Sequence, residues 1–384
     1  MNTILKYKQS KSNFASQARS QYSIFNSRQV AHSFDVCTQM RKNNLSLDFG
    51  QTVSTVVHSR NYIADMWLMV ELETSTDGDY AKDVGLQILE RLSLHFKGGE
   101  VENLEYTPVM YELLHNLVDK PARDTLIKFH GGAKSTLPGD SGKVLIYLPF
   151  FFSSIHRQLK RGPCWHNGNS ANKMQITFEV APASKCSAGT ASHKINNAQL
   201  WWEEYILPVS LQSSFVPANS KSKFRPVIQV LGPYACTQGQ SQEINLSSAL
   251  SAGNIKTLSF RFSATAAVGE NADCYQDGAV SQPQSVILKV NGVEFEELEN
   301  PLEVQLSEYL QGWRRAEGED TLPYRYSFAQ NPDFASQIAG HLPSSHDNLT
   351  CTIVPAQTGS LSIIVSHMKK FIVDGSGRVT KNDG

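Results

Sequence analysis

Apolar and polar positions alternate with period two along most of this chain, and that alternation predicts β-strands with one buried face each. Ser46–His58 and Tyr62–Leu72 are rich in β-branched and aromatic residues. In Arg91–Tyr106, Leu92, Leu94 and Phe96 alternate and Gly98-Gly99 supplies a turn, which predicts a hairpin. Gly142–Phe152, Lys173–Pro182 and Asn197–Leu207 complete a first series of strands. Within this series Pro108–Val118 switches to helical spacing, with Thr107 placed to cap it. A stretch dominated by Ser, Lys, Asn and Pro follows at 210–226 and predicts a linker. Strand patterns then resume at 224–232, 254–266, 284–298, 349–355 and 360–373, with a second helix expected at Val304–Trp313.

The strand "LPYRYSFAQNP" (Leu322–Pro332) is unusually aromatic. Period two puts Tyr324, Tyr326 and Phe328 on one face, expected to fill a core or a seam, and Arg325 and Ser327 on the other, expected to meet solvent or a partner. Asn331-Pro332 ends it.

The chain is thus expected to be all-β, in two halves of similar length and kind. Strands without helical crossovers imply antiparallel sheets, and two eight-stranded antiparallel jelly rolls with short embedded helices fit. The expected divisions are a basic N-terminal arm at 1–43, a first roll at 44–209, the linker at 210–226 and a second roll at 227–384. In the arm Lys6, Lys8, Lys11, Arg19, Arg28, Arg41 and Lys42 oppose a single acid, Asp35. Ile4, Tyr7, Phe14, Ala18 and Phe25 form an interrupted helical stripe among them, which suits an anionic membrane surface or a neighbouring subunit.

Composition narrows the function classes. Of 384 residues, 40% are hydrophobic and 18% charged, as in a folded globular protein. The net charge of −1 gives no reason to expect nucleic-acid binding. Six cysteines, at 37, 164, 186, 236, 274 and 351, lie far apart with no C-x-x-C pair, so reduced thiols are expected. There is no apolar run long enough to span a bilayer, and the N-terminus lacks the apolar core of a signal peptide. Synthesis and folding in a cytoplasm are therefore expected.

Four patterns invite a chemical reading. "GDSG" at Gly139–Gly142 resembles the serine surround of chymotrypsin-like proteases, with His58 and His130 upstream, but the following Lys143 breaks the motif. Turn chemistry around Pro138, before a strand, is the expected reading. "GGAKST" (Gly131–Thr136) is an imperfect phosphate loop with no helix expected after it. Cys164, His166, Cys186 and His193 are metal-capable, yet their spacing matches no standard zinc module. Trp201 and Trp202 are adjacent on a strand, so they point to opposite faces, one toward a core and one toward an interface. No catalytic, cofactor-binding or metal residue is assigned, and no cofactor is expected.

Taken together, the segments resemble the double jelly-roll major capsid proteins of nucleocytoplasmic large DNA viruses and related tailless, membrane-containing viruses. The resemblance rests on about eight blocks in order: 59–72, 80–105, Val144–Ser153, Leu200–Phe215, 254–262, 285–295, Leu322–Phe334 and the closing 366–383. The most specific is "VLIYLPFFFS" in the first half, with "LPYRYSFAQNPDF" its counterpart in the second. The resemblance implies a structural coat subunit rather than an enzyme. It implies a homotrimer whose six rolls form a pseudo-hexagonal capsomer of an icosahedral shell. Neighbouring capsomers, penton and minor capsid proteins would be its partners, with the arm toward an internal membrane. Assembly in the host cytoplasm and residence in the virion follow. Two other classes stay open. A tandem β-sandwich spike or carbohydrate-binding protein would show aromatics clustered at one exposed loop end. An all-β hydrolase would show a catalytic triad or a His-x-His pair with a carboxylate.

Overall fold

The structure, a computed structural model, describes residues 37–58, 62–73, 80, 84–96, 99–116, 120–131, 142–150, 152–153, 165–166, 173–186, 193–206, 221–247, 254–264, 284–299, 303, 306, 324–328, 342–343, 348–355, 358–373 and 379–382. Among these, the first half contributes β1 (Cys37–Leu45), β2 (Thr52–Val56), β3 (Tyr62–Leu72), β4 (Leu89–Phe96), β5 (Gly99–Glu105), β6 (Lys143–Leu148), the short β7 (Trp165–His166), β8 (Met174–Val180) and β9 (Ile195–Ile206). The second half contributes β10 (Lys221–Cys236), β11 (Gln242–Asn245), β12 (Asn254–Ala264), β13 (Ser285–Val290), β14 (Val293–Leu298), β15 (Tyr324–Ser327), the short β16 (Leu342–Pro343), β17 (Leu349–Val354), β18 (Gly359–Val373) and β19 (Val379–Asn382).

The strand order is the same in both halves. The first half builds the sheets β1-β9-β3-β6 and β2-β8-β4-β5; the second builds β10-β18-β12-β15 and β11-β17-β13-β14. Setting aside β7, β16 and β19, each half joins its first, eighth, third and sixth strands in one sheet. Its second, seventh, fourth and fifth strands form the other. Every pairing is antiparallel. That connectivity is a jelly roll, and the chain contains it twice.

Alternation explains why the strands lie as they do. Along β8, Met174, Ile176, Phe178 and Val180 are buried while Gln175, Thr177 and Glu179 between them are partly exposed. The inward residues of the facing sheet, Met66, Leu68 and Val70 of β3 and Leu200 of β9, are essentially solvent-free. Burial of such side chains contributes about 1.5–3 kcal/mol each. The second core is built the same way from Leu258, Phe260, Val286, Leu288, Cys351, Ile353, Ile363 and Val365.

Among the described residues, four helical segments serve the first roll: α1 (Val84–Gln87), α2 (Tyr106–Asn116), α3 (Lys120–Phe129) and α4 (Ala183–Cys186). The sequence predicts only one of them. α2 begins two residues before the expected Pro108, and Thr107 does not cap it: its hydroxyl donates to the Leu86 carbonyl at 2.7 Å. Tyr106 is fully buried and its hydroxyl donates to the Tyr147 carbonyl at 2.8 Å, tying α2 to β6. α3 goes unpredicted because its segment is largely polar; among its described side chains Leu126 and Ile127 pack inward. Gly85 in α1 allows a close approach, since a Cβ there would meet Val144 Cγ1 at 2.7 Å and the His130 carbonyl at 2.8 Å.

Several expected boundaries change. β1 starts at Cys37, inside the stretch assigned to the arm, and pairs with β9 out to Cys37↔Ile206. It is an edge strand of mostly polar residues, so it carries no clear alternation. β10 starts at Lys221, inside the expected linker, and pairs with the far end of β18. Gly99 is not in the hairpin turn but opposite Phe96 in β5. Residues 1–36, 210–220 and most of 304–313 lie outside the described residues; Leu306, within the last, is helical.

Candidate subunit interface

The sheet β10-β18-β12-β15 is buried on both faces. Its inner face, with Leu258, Phe260, Ile363 and Val365, lines the second core. Its outer face is read from the pairing registers. One row across it is Val230, Ile364, Ser259, Arg325; the next is Ile228, Ser366, Thr257, Ser327. At the β10 end this face is apolar, and Ile228, Val230 and Ile364 join the hydrophobic core of the first roll. At the β15 end it is polar, and there it meets α2: Ser259 Oγ donates to Glu112 Oε1 at 3.0 Å, with both residues buried.

Arg325 and Ser327 therefore do not face solvent. Arg325 is 2% exposed and Ser327 8%. The outside of the second roll is the inside of the protein, because the first roll covers it. Lys256 also has no solvent exposure, at a shift in register between Ile255 and Thr257. The opposite face of β15 behaves as expected. Tyr326 and Phe328 pack against the second core, with ring centroids 5.0 Å apart and 5.3 and 5.7 Å from Phe295.

The equivalent outer face of the first roll belongs to β1-β9-β3-β6. Its corresponding row is Lys42, Trp201, Trp67, Tyr147. Lys42 Nζ sits 4.1 Å from the Trp201 ring, a cation–π contact. Trp201 Nε1 donates to Gln199 Oε1 at 3.0 Å. Trp67 meets Tyr147 edge-on at 4.7 Å and Phe129 of α3 at 5.8 Å. Tyr147 is buried, and its hydroxyl donates to Asp65 Oδ1 at 2.6 Å. Trp67 and Trp201 remain partly exposed, and Phe129 is 42% exposed. Trp202, next in sequence, points the other way and is 4% exposed in the core. An aromatic row thus occupies the face that, in the second roll, an adjoining roll covers.

The chemical motifs are placed as follows. Gly131 has φ +111° and follows α3, so the glycine-rich stretch begins at the end of a helix. Its remaining residues lie outside the described ones, as do Gly139, Asp140 and Ser141. Gly142, the last residue of "GDSG", accepts the Leu72 N–H at 2.8 Å at the end of β3. His58 is exposed beyond β2, whereas His130 has no exposure. His130 Nε2 accepts the Tyr147 N–H at 3.4 Å, and burial pushes its pKa down to about 3. It is a neutral core histidine.

Cys164 is outside the described residues, and His166 pairs with Tyr62 through β7. His193, but not Cys186, is shown in contact with Tyr80. The His193 ring stacks on Tyr80 at 4.0 Å. The Tyr80 pKa is pushed up to about 12 by burial first, then by Glu73 and Cys186. Among the described residues no three such side chains form a metal-binding group. Cys186, Cys236 and Cys351 are buried and in no disulfide. Also among the described residues, no helix is long and apolar enough to cross a membrane.

Sequence reading missed Glu112 and Lys256. The available signals were a lone carboxylate within the apolar run of α2, and the small polar residues Thr257 and Ser259 opposite an Ile/Leu/Phe face in β12. Neither says what lies across from it.

No protein-family model and no curated protein matches the sequence. Solved structures do match in fold. PBCV-1 VP54, in a crystal structure fitted into a cryo-EM reconstruction of the virophage Sputnik, superposes with a TM-score of 0.70 at 16% identity. The alignment covers 91% of this chain and 97% of that one. The Faustovirus major capsid protein gives 0.62 at 9% identity, covering 88% and 90%. The Sputnik virophage structure determined by cryo-EM gives 0.59 at 8% identity, covering 90% and 88%. Patterning and core volume can hold a fold at such identities while individual residues change. With its twice-repeated strand order and these likenesses along nearly its whole length, the chain has the double jelly-roll fold of viral major capsid proteins.

Proposed function

We propose that this protein is the major capsid protein of an icosahedral virus, a coat subunit that works as a homotrimer. One observation carries the reading. Within the chain, α2 of the first roll covers the outer face of β10-β18-β12-β15. The matching face of β1-β9-β3-β6 carries Trp67 and Trp201; Phe129 of α3 packs against Trp67, yet both indoles stay partly exposed and Phe129 is 42% exposed. A second copy supplies that cover. Its expected helix at Val304–Trp313 follows β14 as α2 follows β5. The contact is heterologous, and repeating it from roll to roll closes a ring of six rolls from three chains. Such a ring is the pseudo-hexagonal block that tiles an icosahedral shell, and the fold shared with the Faustovirus major capsid protein supports it.

Mass photometry of the purified chain tests the trimer. The expected particle is about 128 kDa, three times the 42.6 kDa chain. A 42.6 kDa species at micromolar concentration would refute the reading.

In this proposal the rolls follow the division expected from the sequence, extended to take in β1 from Cys37 in the first and β10 from Lys221 in the second. The subunit resides in the virion, after assembly in the host cytoplasm, against neighbouring capsomers, penton and minor capsid proteins. The N-terminal arm, with its excess of Lys and Arg, faces inward toward an anionic membrane. Each basic residue near such a surface contributes about 1 kcal/mol, screened by salt. Deleting residues 1–30 is expected to leave melting and trimer formation unchanged and to abolish salt-sensitive binding to phosphatidylserine vesicles. Equal binding by the full-length and shortened chains would remove the arm from the membrane.

A further inference from the structure

We infer that Glu112, with Ser259 and Arg325, is a specificity device: it makes α2 dock on the second roll and prevents it from docking on the first roll of another copy. One readout of this inference rests on the proposed contact between copies. The argument begins with two equivalent faces of unlike chemistry. Both rolls present an outer face built from their first, eighth, third and sixth strands. A helix that docks on one has the backbone geometry to dock on the other. Across β10-β18-β12-β15 the row ends in Ser259 and Arg325; across β1-β9-β3-β6 it ends in Trp67 and Tyr147.

Glu112 is 1% exposed, so whichever face α2 docks on must satisfy a buried carboxylate. On the second roll Ser259 donates to it at 3.0 Å. Arg325 stands directly opposite Ser259 in the register, on the same face, and Lys256 is buried nearby in sequence. On the first roll the position of Ser259 is held by the Trp67 indole. That of Arg325 is held by Tyr147, whose hydroxyl is already given to the Asp65 carboxylate at 2.6 Å. Glu112 would there lose its donor and meet a like charge. Rejection of the wrong face is as much a part of specificity as attraction to the right one. The consequence is alternation: first roll to second roll at every junction, which a closed ring of fused pairs requires. Without the charge, α2 could cover the aromatic face of a second copy, and first-roll-to-first-roll contacts would give open or mixed assemblies.

The test uses the full chain and three variants: Glu112→Met, Arg325→Met, and the two combined. Each single change leaves one buried charge of this face without the opposite charge inferred beside it, and melting is expected to fall by about 5 °C or more. The double variant removes both charges and should regain most of that loss. It should nevertheless give a broadened distribution of particle masses in mass photometry where the natural chain gives one. Recovery of both melting and a single wild-type mass would overturn the inference, leaving the cluster a stabilising contact only. Unchanged melting in both single variants would overturn it as well. A natural chain that stays monomeric sinks the coat reading alone; the inference then stands if the double variant self-associates and falls if it does not.

Discussion

Replacing Trp67 and Trp201 together by alanine is expected to give a folded chain that no longer associates. Both indoles lie on the outer face of β1-β9-β3-β6 and are partly exposed. The core beneath them is made by their sequence neighbours, Met66, Leu68, Leu200 and Trp202, which point the other way and are 4% exposed or less. Truncation outside therefore removes contact area without opening a core cavity. Large aromatics at the centre of an interface contribute about 2 kcal/mol or more each. Losing two weakens association by roughly a thousandfold. Mass photometry at nanomolar concentration should show the oligomer lost, while circular dichroism shows the strands kept. The control is Trp202→Ala, which cuts into the core and should cost about 3–5 kcal/mol of stability. An unchanged oligomer in the Trp67/Trp201 double variant would move the interface elsewhere on the subunit.

Acid should destabilise the first roll through His130, and His130→Gln should remove that sensitivity. The imidazole has no solvent exposure, and burial holds its pKa down at about 3. In the unfolded chain it titrates near the ordinary histidine value of about 6.5. Above that pH both states are neutral and the group adds no pH dependence. Below it the unfolded state binds a proton that the folded state refuses, so stability falls as pH falls, down to the folded value. The slope is about 1.4 kcal/mol per pH unit, which makes about 2–3 kcal/mol by pH 4.5. Glutamine keeps an acceptor for the Tyr147 N–H, now met by Nε2 at 3.4 Å, and does not titrate. Urea unfolding at pH 7 and pH 4.5 measures the effect as a difference between two chains that share every other ionisable group. Parallel losses of stability in both would show that His130 is not the acid-sensitive group.

On the proposed reading of the chain as a coat subunit, these two predictions address different needs. The aromatic face would govern whether copies join. The buried histidine would govern whether a joined subunit survives acid. Neither depends on an active site, and the histidine that a protease reading would use as a base is held neutral inside the core, its Nε2 already accepting a backbone N–H.

What the sequence determined by itself was the set of strands and the sidedness of most of them. Alternation is a local property: Met174–Val180 buries every second residue wherever it is placed, because successive side chains leave a strand on opposite sides. The opposed directions of Trp201 and Trp202 followed from the same rule. So did the aromatic face of Tyr326 and Phe328, which packs on Phe295. The doubled architecture was legible because each half repeats the same run of short strands with few helices between them.

Tertiary structure decided what lies across from each face, and no local pattern carries that information. Arg325 between two tyrosines reads as a solvated residue, yet it is 2% exposed. Glu112 reads as a charge on an otherwise apolar helix, yet it accepts a hydrogen bond from Ser259, 147 residues away in the chain. β1 and the start of β10 looked like arm and linker because edge and seam strands need no apolar alternation: β9 and β18 satisfy their backbones. A polar face is the same in sequence whether water or another roll stands against it. The fold alone determines which, because burying that face depends on the partner that can satisfy it.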